Sequence, residues 1–300
     1  MIHSPEGKAT THTNETPVNL DWHPLSEEDI RHFDDQGYLI VRNVLDSDTI
    51  NELIEASDRL MASDRRENRQ QNFDGLYDSF RNSISILDAF IPLLTQKTIL
   101  PVVVQLLGAH LQLMTSHLIY KHPDPQGTPD TTRRPGWHRD YAMATTTHGN
   151  KVPRILLKCA YYFTDLSEPN SGVTLVAPGS NHLLERVPIP KEQADPEGAL
   201  EASLQPGDCL LFENRTFHAG AANLTNQIRK GVMFGYGYRW LMPMDYRTQE
   251  QTLLDKLTPL EQYLVGEPFT KTKEFIPSGS ESPLAEWCEQ HGAPAVRPVH

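Results

Sequence analysis

The sequence predicts a mainly β protein with flanking helices, its strands closing as a barrel or jelly roll. Two observations carry this expectation. From Leu111 onward, short apolar runs (111–120, 155–164, 173–177, 209–212 and 232–240) are separated by strong turn formers such as Pro178-Gly179-Ser180 and Pro206-Gly207-Asp208. The two ends of the chain instead carry helix signatures, with cap residues followed by apolar positions at helical spacing.

Taken in order, residues 1–21 are rich in Thr, Asn and Pro without periodicity and read as a disordered tail. Residues 22–300 read as a single domain with helical extensions at both ends. A first helix starts at Ser26, whose hydroxyl can cap the Asp29 N–H while the Asp29 carboxylate reaches back. Leu25 can staple onto Ile30, and Gly37 supplies the stop. Tyr38-Leu39-Ile40-Val41 reads as a short buried strand, and a second helix near 48–61 places Ile50, Leu53, Ile54, Leu60 and Met61 on one side. The polar stretch 63–74 has no pattern and reads as a loop or lid. After the strand-rich region, Thr258-Pro259-Leu260-Glu261 opens another helix, and Ser282-Pro283 opens a last one that Gly292 ends.

Composition narrows the function classes. Lys plus Arg is 27 against 39 for Asp plus Glu, a formal net charge of −12. That balance disfavours nucleic-acid and anionic-membrane partners, which need clustered basic residues. No window approaches 18 uninterrupted apolar residues. The polar N-terminus lacks an apolar signal region, and Cys159, Cys209 and Cys288 lie far apart with no CxxC. Both features suggest a reducing, cytoplasmic setting.

Thirteen histidines raise the question of a metal. A His-x-Asp tripeptide on a strand puts both side chains on one face, and a distal His then completes a facial triad for Fe(II). This chain holds three such tripeptides. His32-Phe33-Asp34 falls in the first helix, where residues two apart point to different sides. His122-Pro123-Asp124 ends a strand in a turn, whereas His138-Arg139-Asp140 follows Gly136-Trp137 at a strand edge. The last two stay open on this reasoning. His218 emerges just after the 209–212 run, and Arg229 lies 11 residues further (229 − 218 = 11), where its guanidinium could pair with the carboxylate of an acidic cosubstrate.

The run from Gly136 to Trp240 resembles the phytanoyl-CoA dioxygenase family of Fe(II)/2-oxoglutarate oxygenases. The matching features are His138-Arg139-Asp140, Asn170-Ser171-Gly172, Pro178-Gly179-Ser180-Asn181-His182, Pro206-Gly207-Asp208, His218-Ala219-Gly220 and Arg229. Leu25 to Leu45 is similar to that family's opening helix and Gly-Tyr strand. The resemblance implies a double-stranded β-helix, a cupin-like jelly roll. It implies His138, Asp140 and His218 as catalytic iron ligands, Arg229 on the distal carboxylate of 2-oxoglutarate, and dioxygen as the other cosubstrate. It also selects His138 over His122. By position, Tyr161 and Lys121 join the cosubstrate site, while Asn181 is an insertion in the family pattern and leaves His182 a structural role. Retention of Asp140, which halogenating relatives replace with a small residue, implies an oxygenase.

The implied reaction is hydroxylation of a C–H bond in a small molecule, a natural-product intermediate rather than an acyl-CoA. Other outcomes of the same oxidant (desaturation, epoxidation, cyclisation, epimerisation) and a catalytically silent metal-binding or ligand-sensing barrel are the alternatives. Tyr141, Met143, Phe217 and Trp240 are the expected substrate walls, with loops 62–76 and 183–203 as lids. Between Lys121 and Lys158 stand seven basic residues against three Asp and no Glu, which suggests a positive rim around the site.

Overall fold

The computed structural model describes residues 20, 24–140, 152–267 and 282–294. All of the expected N-terminal tail except Leu20 therefore lies outside the described residues. The first helix, α1 (Glu27–Gln36), begins with the expected capping box: the Ser26 hydroxyl accepts from the Asp29 N–H at 3.0 Å, and the Asp29 carboxylate accepts from the Ser26 N–H at 3.3 Å. Gly37 ends it at φ 78°, a conformation other residues reach only with strain. The chain then enters β1 (Tyr38–Val41) and α2 (Ser47–Met61).

The polar stretch after α2 differs from the expected loop. Arg69–Asn72 forms a strand, β2, paired with β3 (Tyr77–Phe80) across a turn in which Phe73, Asp74 and Gly75 all have positive φ. Arg69 holds the hairpin down, donating to both oxygens of Asp78 (3.0 and 2.6 Å) and to the carbonyls of Met61 and Ser63. The helix α3 (Ile99–Leu107) is buried along its whole length, as its apolar sequence demands.

The strands that follow are β4 (Leu111–Lys121), β5 (Leu156–Tyr162), β6 (Thr174–Val176), β7 (Leu200–Glu201), β8 (Cys209–Glu213), β9 (His218–Gly220) and β10 (Arg229–Tyr238). Short helices α4 (Gln251–Leu254), α5 (Pro259–Leu264) and α6 (Pro283–Gln290) close the described chain, α5 with the expected Thr258–Glu261 capping box and α6 capped by Ser282. No single helix among the described residues is long and apolar enough to cross a membrane.

A seven-stranded antiparallel sheet in the order β1-β8-β5-β10-β4-β3-β2 faces a three-stranded sheet, β7-β6-β9. These are the two layers of a jelly roll with flanking helices, the expected fold class. Strand alternation divides the large sheet's residues between two cores. Leu157, Cys159, Tyr161, Phe234 and Tyr236 pack outward against the helices, with Trp287 of α6 in the same cluster. Ala160, Tyr162, Leu210 and Phe212 point inward and meet Leu175, Val176 and Ala219 of the small sheet. The space between the sheets is where the polar site forms.

Candidate metal centre

Residues 134–138 extend the small sheet alongside β9. The His138 and His218 N–H groups donate to each other's carbonyls at 2.9 and 2.8 Å, and the Arg134 N–H donates to the Gly220 carbonyl at 2.9 Å. This ladder sets the two imidazoles side by side, with ring centroids 4.2 Å apart. Gly220 makes the approach possible, since a Cβ there would lie 2.2 Å from the Arg134 carbonyl oxygen.

One donor atom from each of His138, Asp140 and His218 lies within 4.8 Å of the others. The histidine tautomers follow from their partners. His138 Nδ1 faces the Gly136 carbonyl at 2.7 Å and His218 Nδ1 faces the Thr216 carbonyl at 3.0 Å. A carbonyl only accepts, so each Nδ1 carries the proton and each Nε2 keeps a lone pair for a cation. Burial, then the neighbouring His138, brings the His218 pKa down to about 4 and keeps that ring neutral. Burial works against the Asp140 carboxylate, but Lys158 (Nζ to Oδ2 3.5 Å) and then the histidines outweigh it and hold the pKa at about 2. Two imidazoles with Nε2 free of a protein partner and one carboxylate converging on a point suit an octahedral Fe(II) with one face left open.

The triad opens on a cavity of about 230 Å³. Arg229 and Lys121, partners across β10 and β4, line it away from Lys158 and are almost fully buried. Arg229 Nε donates to the Gly172 carbonyl at 3.1 Å, and its guanidinium lies over the Tyr162 ring. The Lys121 ammonium donates to the carbonyls of Arg134 (3.2 Å) and Ala221. Burial and then Arg229 bring Lys121 down to about 7.

The other two His-x-Asp matches are used elsewhere. The Asp124 carboxylate accepts from Arg134 and from the Asn223 N–H at 2.8 Å, while Asp34 accepts from Arg154 at 2.9 Å. Asn181 and His182 sit at the carbonyls of Asp34 and Asp35 (2.9 and 3.2 Å) and tie their turn to α1.

Several expected site residues are corrected. Tyr161 faces the helix-side core, because its strand neighbours Lys158 and Tyr162 take the inward face; Tyr162, bonded to Thr174 at 2.8 Å, is the aromatic beside Arg229. Phe217 packs under the Arg139 guanidinium instead of lining the cavity. Trp240 is 68% exposed and stacks on Tyr238 at the surface. Tyr141 and Met143 lie outside the described residues. Of the expected lids, the hairpin supplies Gln70, Asn72, Phe73 and Tyr77 to the cavity. The 183–203 segment does not line it; Asp195 instead pairs with Arg133 and accepts from the Trp137 indole at 3.0 Å, and the carbonyls of Leu183 and Leu184 receive Arg139. That segment buttresses the ligand-bearing strand.

The basic rim is likewise redistributed. Arg133, Arg134 and Arg154 are spent on Asp195, Asp124 and the pair Asp34 and Glu213. Within the cavity wall stand Lys121, Arg134, Arg229, Lys158 and Arg81, together with His117. Arg81 and His117 are the residues that sequence reasoning missed as site residues, and Lys158 it counted only within the basic rim. Polar side chains at 117 and 158, inside runs that are otherwise apolar, were the available signal.

The sequence profile described as phytanoyl-CoA dioxygenase (PhyH) matches residues 33–231. A dioxygenase of Aspergillus terreus, trt7, is 31% identical over 137 residues, which is 43% of this chain and 44% of that relative. The matched stretch is thus less than half of that relative's length. Among solved structures, the epimerase SnoN in complex with Fe3+, alpha ketoglutarate and nogalamycin RO superposes with a TM-score of 0.57 at 22% identity, covering 77% of this chain and 89% of that one. HygX from Streptomyces hygroscopicus, with nickel, 2-oxoglutarate and hygromycin B bound, gives 0.55 at 17% identity over 75% and 91%.

Proposed function

The chain belongs to the phytanoyl-CoA dioxygenase family, and from that premise we propose that it is an Fe(II)- and 2-oxoglutarate-dependent dioxygenase that hydroxylates an unactivated C–H bond of a small natural-product intermediate. The observation that carries this reading is the pairing of a free-lone-pair His138, Asp140, His218 set with Arg229 and Lys121 in one cavity. These three residues would hold the iron. When bound, the iron supplies dioxygen activation coupled to decarboxylation of 2-oxoglutarate, giving succinate and carbon dioxide.

The protein's own contribution is placement. Arg229 offers its guanidinium, and Lys121 its ammonium, to the distal carboxylate of the cosubstrate. Their burial makes each charge count for more than it would in water. The backbone carbonyls behind His138 and His218 hold the Nδ1 protons and aim both Nε2 atoms into the cavity. The Phe73 and Tyr77 side chains of the hairpin, with Phe212 and Met233, supply apolar wall for substrate and help to exclude water.

A different outcome of the same chemistry is the second reading, favoured by the likeness to an epimerase. The test is succinate release from purified protein with Fe(II) and 2-oxoglutarate under air, with and without a panel of small molecules, and the product mass. Substrate-dependent succinate with a gain of one oxygen supports hydroxylation; loss of two hydrogens, or no mass change, supports desaturation or epimerisation. Iron retained without any succinate would leave a silent barrel. His138→Ala should abolish iron retention and His122→Ala should not; the opposite pattern would sink the site assignment.

A further inference from the structure

The cavity wall carries five cationic side chains against one carboxylate, Asp140. Arg134 is committed to Asp124, and the proposed cosubstrate would use Arg229 and Lys121. Arg81 and Lys158 remain, and the sheet register places them together. Lys158 of β5 is opposite Gly235 of β10, which is opposite Thr115 of β4, and the Arg81 guanidinium reaches Thr115 Oγ1 at 3.4 Å. The two cations therefore approach the same level of the sheet from either side of a residue without a side chain.

The backbone at that level is offset along β10 from the other cationic end, and the two ends share one cavity. Gly235 lies six residues along β10 from Arg229 (235 − 229 = 6), about 20 Å at the usual strand rise. The glycine lets the Thr115 and Lys158 side chains close over the strand: a Cβ there would lie 2.7 Å from Thr115 Cγ2 and 3.4 Å from Lys158 Cδ. His117 stands one inward position away along β4, and its buried Nε2 has no hydrogen-bond partner. Burial and the surrounding Arg81, Lys158 and Arg229 charges push its pKa well down, so the ring offers a hydrogen bond without adding charge.

The acids beside these cations are otherwise engaged. Asp140 lies 3.5 Å from Lys158 and belongs to the metal set. Asp245, 3.6 Å from Arg81, already accepts from Thr115 Oγ1 (2.7 Å), the Ser116 N–H (2.9 Å) and the Asn82 N–H (3.2 Å). A buried Lys158 and a part-buried Arg81 whose acids also serve other groups, beside an unpartnered imidazole nitrogen, constitute a site for an anion.

We propose that Lys158 and Arg81, with His117 Nε2, form a second anion subsite that takes a carboxylate carried by the oxidised substrate, so that the enzyme acts on acidic small molecules. This rests on the reading of the cavity as an iron and 2-oxoglutarate site. The carboxylate held there belongs to the substrate and not to the cosubstrate, and the two sources separate experimentally.

The experiment is a calorimetric titration of the Ni(II)-loaded protein saturated with 2-oxoglutarate, using matched pairs of alicyclic and aryl carboxylic acids and their primary amides, 3-phenylpropanoate and 3-phenylpropanamide among them. At least one acid should bind about tenfold or more tightly than its amide, a difference of about 1.4 kcal/mol. Lys158→Met and Arg81→Met should each remove most of that preference, Lys158→Arg should keep it, and Arg81→Met, which touches no metal ligand, should leave the affinity for 2-oxoglutarate within about twofold. Absence of any acid preference in the wild type, or its survival in both methionine variants, would overturn the proposal. So would a tenfold loss of 2-oxoglutarate affinity in Arg81→Met, which would assign that cation to the cosubstrate. Failure of the wild-type protein to bind 2-oxoglutarate at all is a separate result, and removes the underlying reading as well.

Discussion

Burial, and then the facing Arg229, bring the Lys121 pKa from the ordinary lysine value to about 7. The sign of its effect on stability is fixed by linkage. Below about pH 7 the ammonium is charged in both the folded and unfolded chains, and its desolvation cost is present in full. As pH rises toward the ordinary lysine value, the unfolded chain keeps a proton that the folded one has released, and the cost is relieved. Lys121→Met should therefore stabilise the protein more at pH 6 than at pH 9, as read from paired urea midpoints. The same titration bears on the cosubstrate, since a neutral amine no longer attracts a carboxylate. Affinity for 2-oxoglutarate should fall as pH rises through about 7, and Lys121→Arg should flatten that profile in a calorimetric series. At this scale spacing singled out the His-x-Asp pairs, His218 and Arg229, whereas the family resemblance selected His138 over His122 and pointed to Lys121. Tyr161 was misread by one position, because only the inward register of Lys158 and Tyr162 decides which tyrosine faces the site. The contact between Lys158 and Asp140 joins residues 18 apart (158 − 140 = 18) and has no local signature.

Among the elements, the pairing of residues 134–138 with β9 determines whether two ligands meet. A methyl group at Gly220 would press on the Arg134 carbonyl oxygen at 2.2 Å and on Pro135 Cδ at 3.2 Å. The first contact is backbone and the second is a proline ring, and neither can swing aside as a flexible side chain would. Gly220→Ala should spread the ladder and weaken Fe(II) or Ni(II) binding by about 10- to 100-fold, in line with losses of supporting structure at other metal sites; unchanged metal affinity would show that the ladder does not set the ligand geometry. Helices announced themselves through their ends, as the capping boxes at Ser26 and Thr258 show. The strand β2 did not, because Arg69-Gln70-Gln71-Asn72 has no apolar alternation. Its position depends on Arg69 gripping Asp78, a long-side-chain contact that hydropathy does not register.

Across the whole molecule, the two cores divide the labour. The helix-side core holds Trp287 of α6 against the outer face of the large sheet, and the metal centre lies on the opposite face. Trp287→Ala should cost about 3–5 kcal/mol of stability and lower the melting temperature, while the protein that remains folded keeps its affinity for metal. A loss of metal affinity comparable with that of Gly220→Ala would show that the cores are coupled. The overall charge of −12 conceals the inverse arrangement inside, where basic side chains crowd one cavity. Composition alone could not reveal that contrast, because it arises from which side chains the strands turn inward. The end of the cavity shared by Arg229 and Lys121 also bears on the speed of the catalytic cycle. Succinate retains the carboxylate that these cations would hold in 2-oxoglutarate and loses only the end directed at the metal ligands. A grip that captured the cosubstrate would thus also detain its by-product, and succinate release would then be one of the steps that limit turnover.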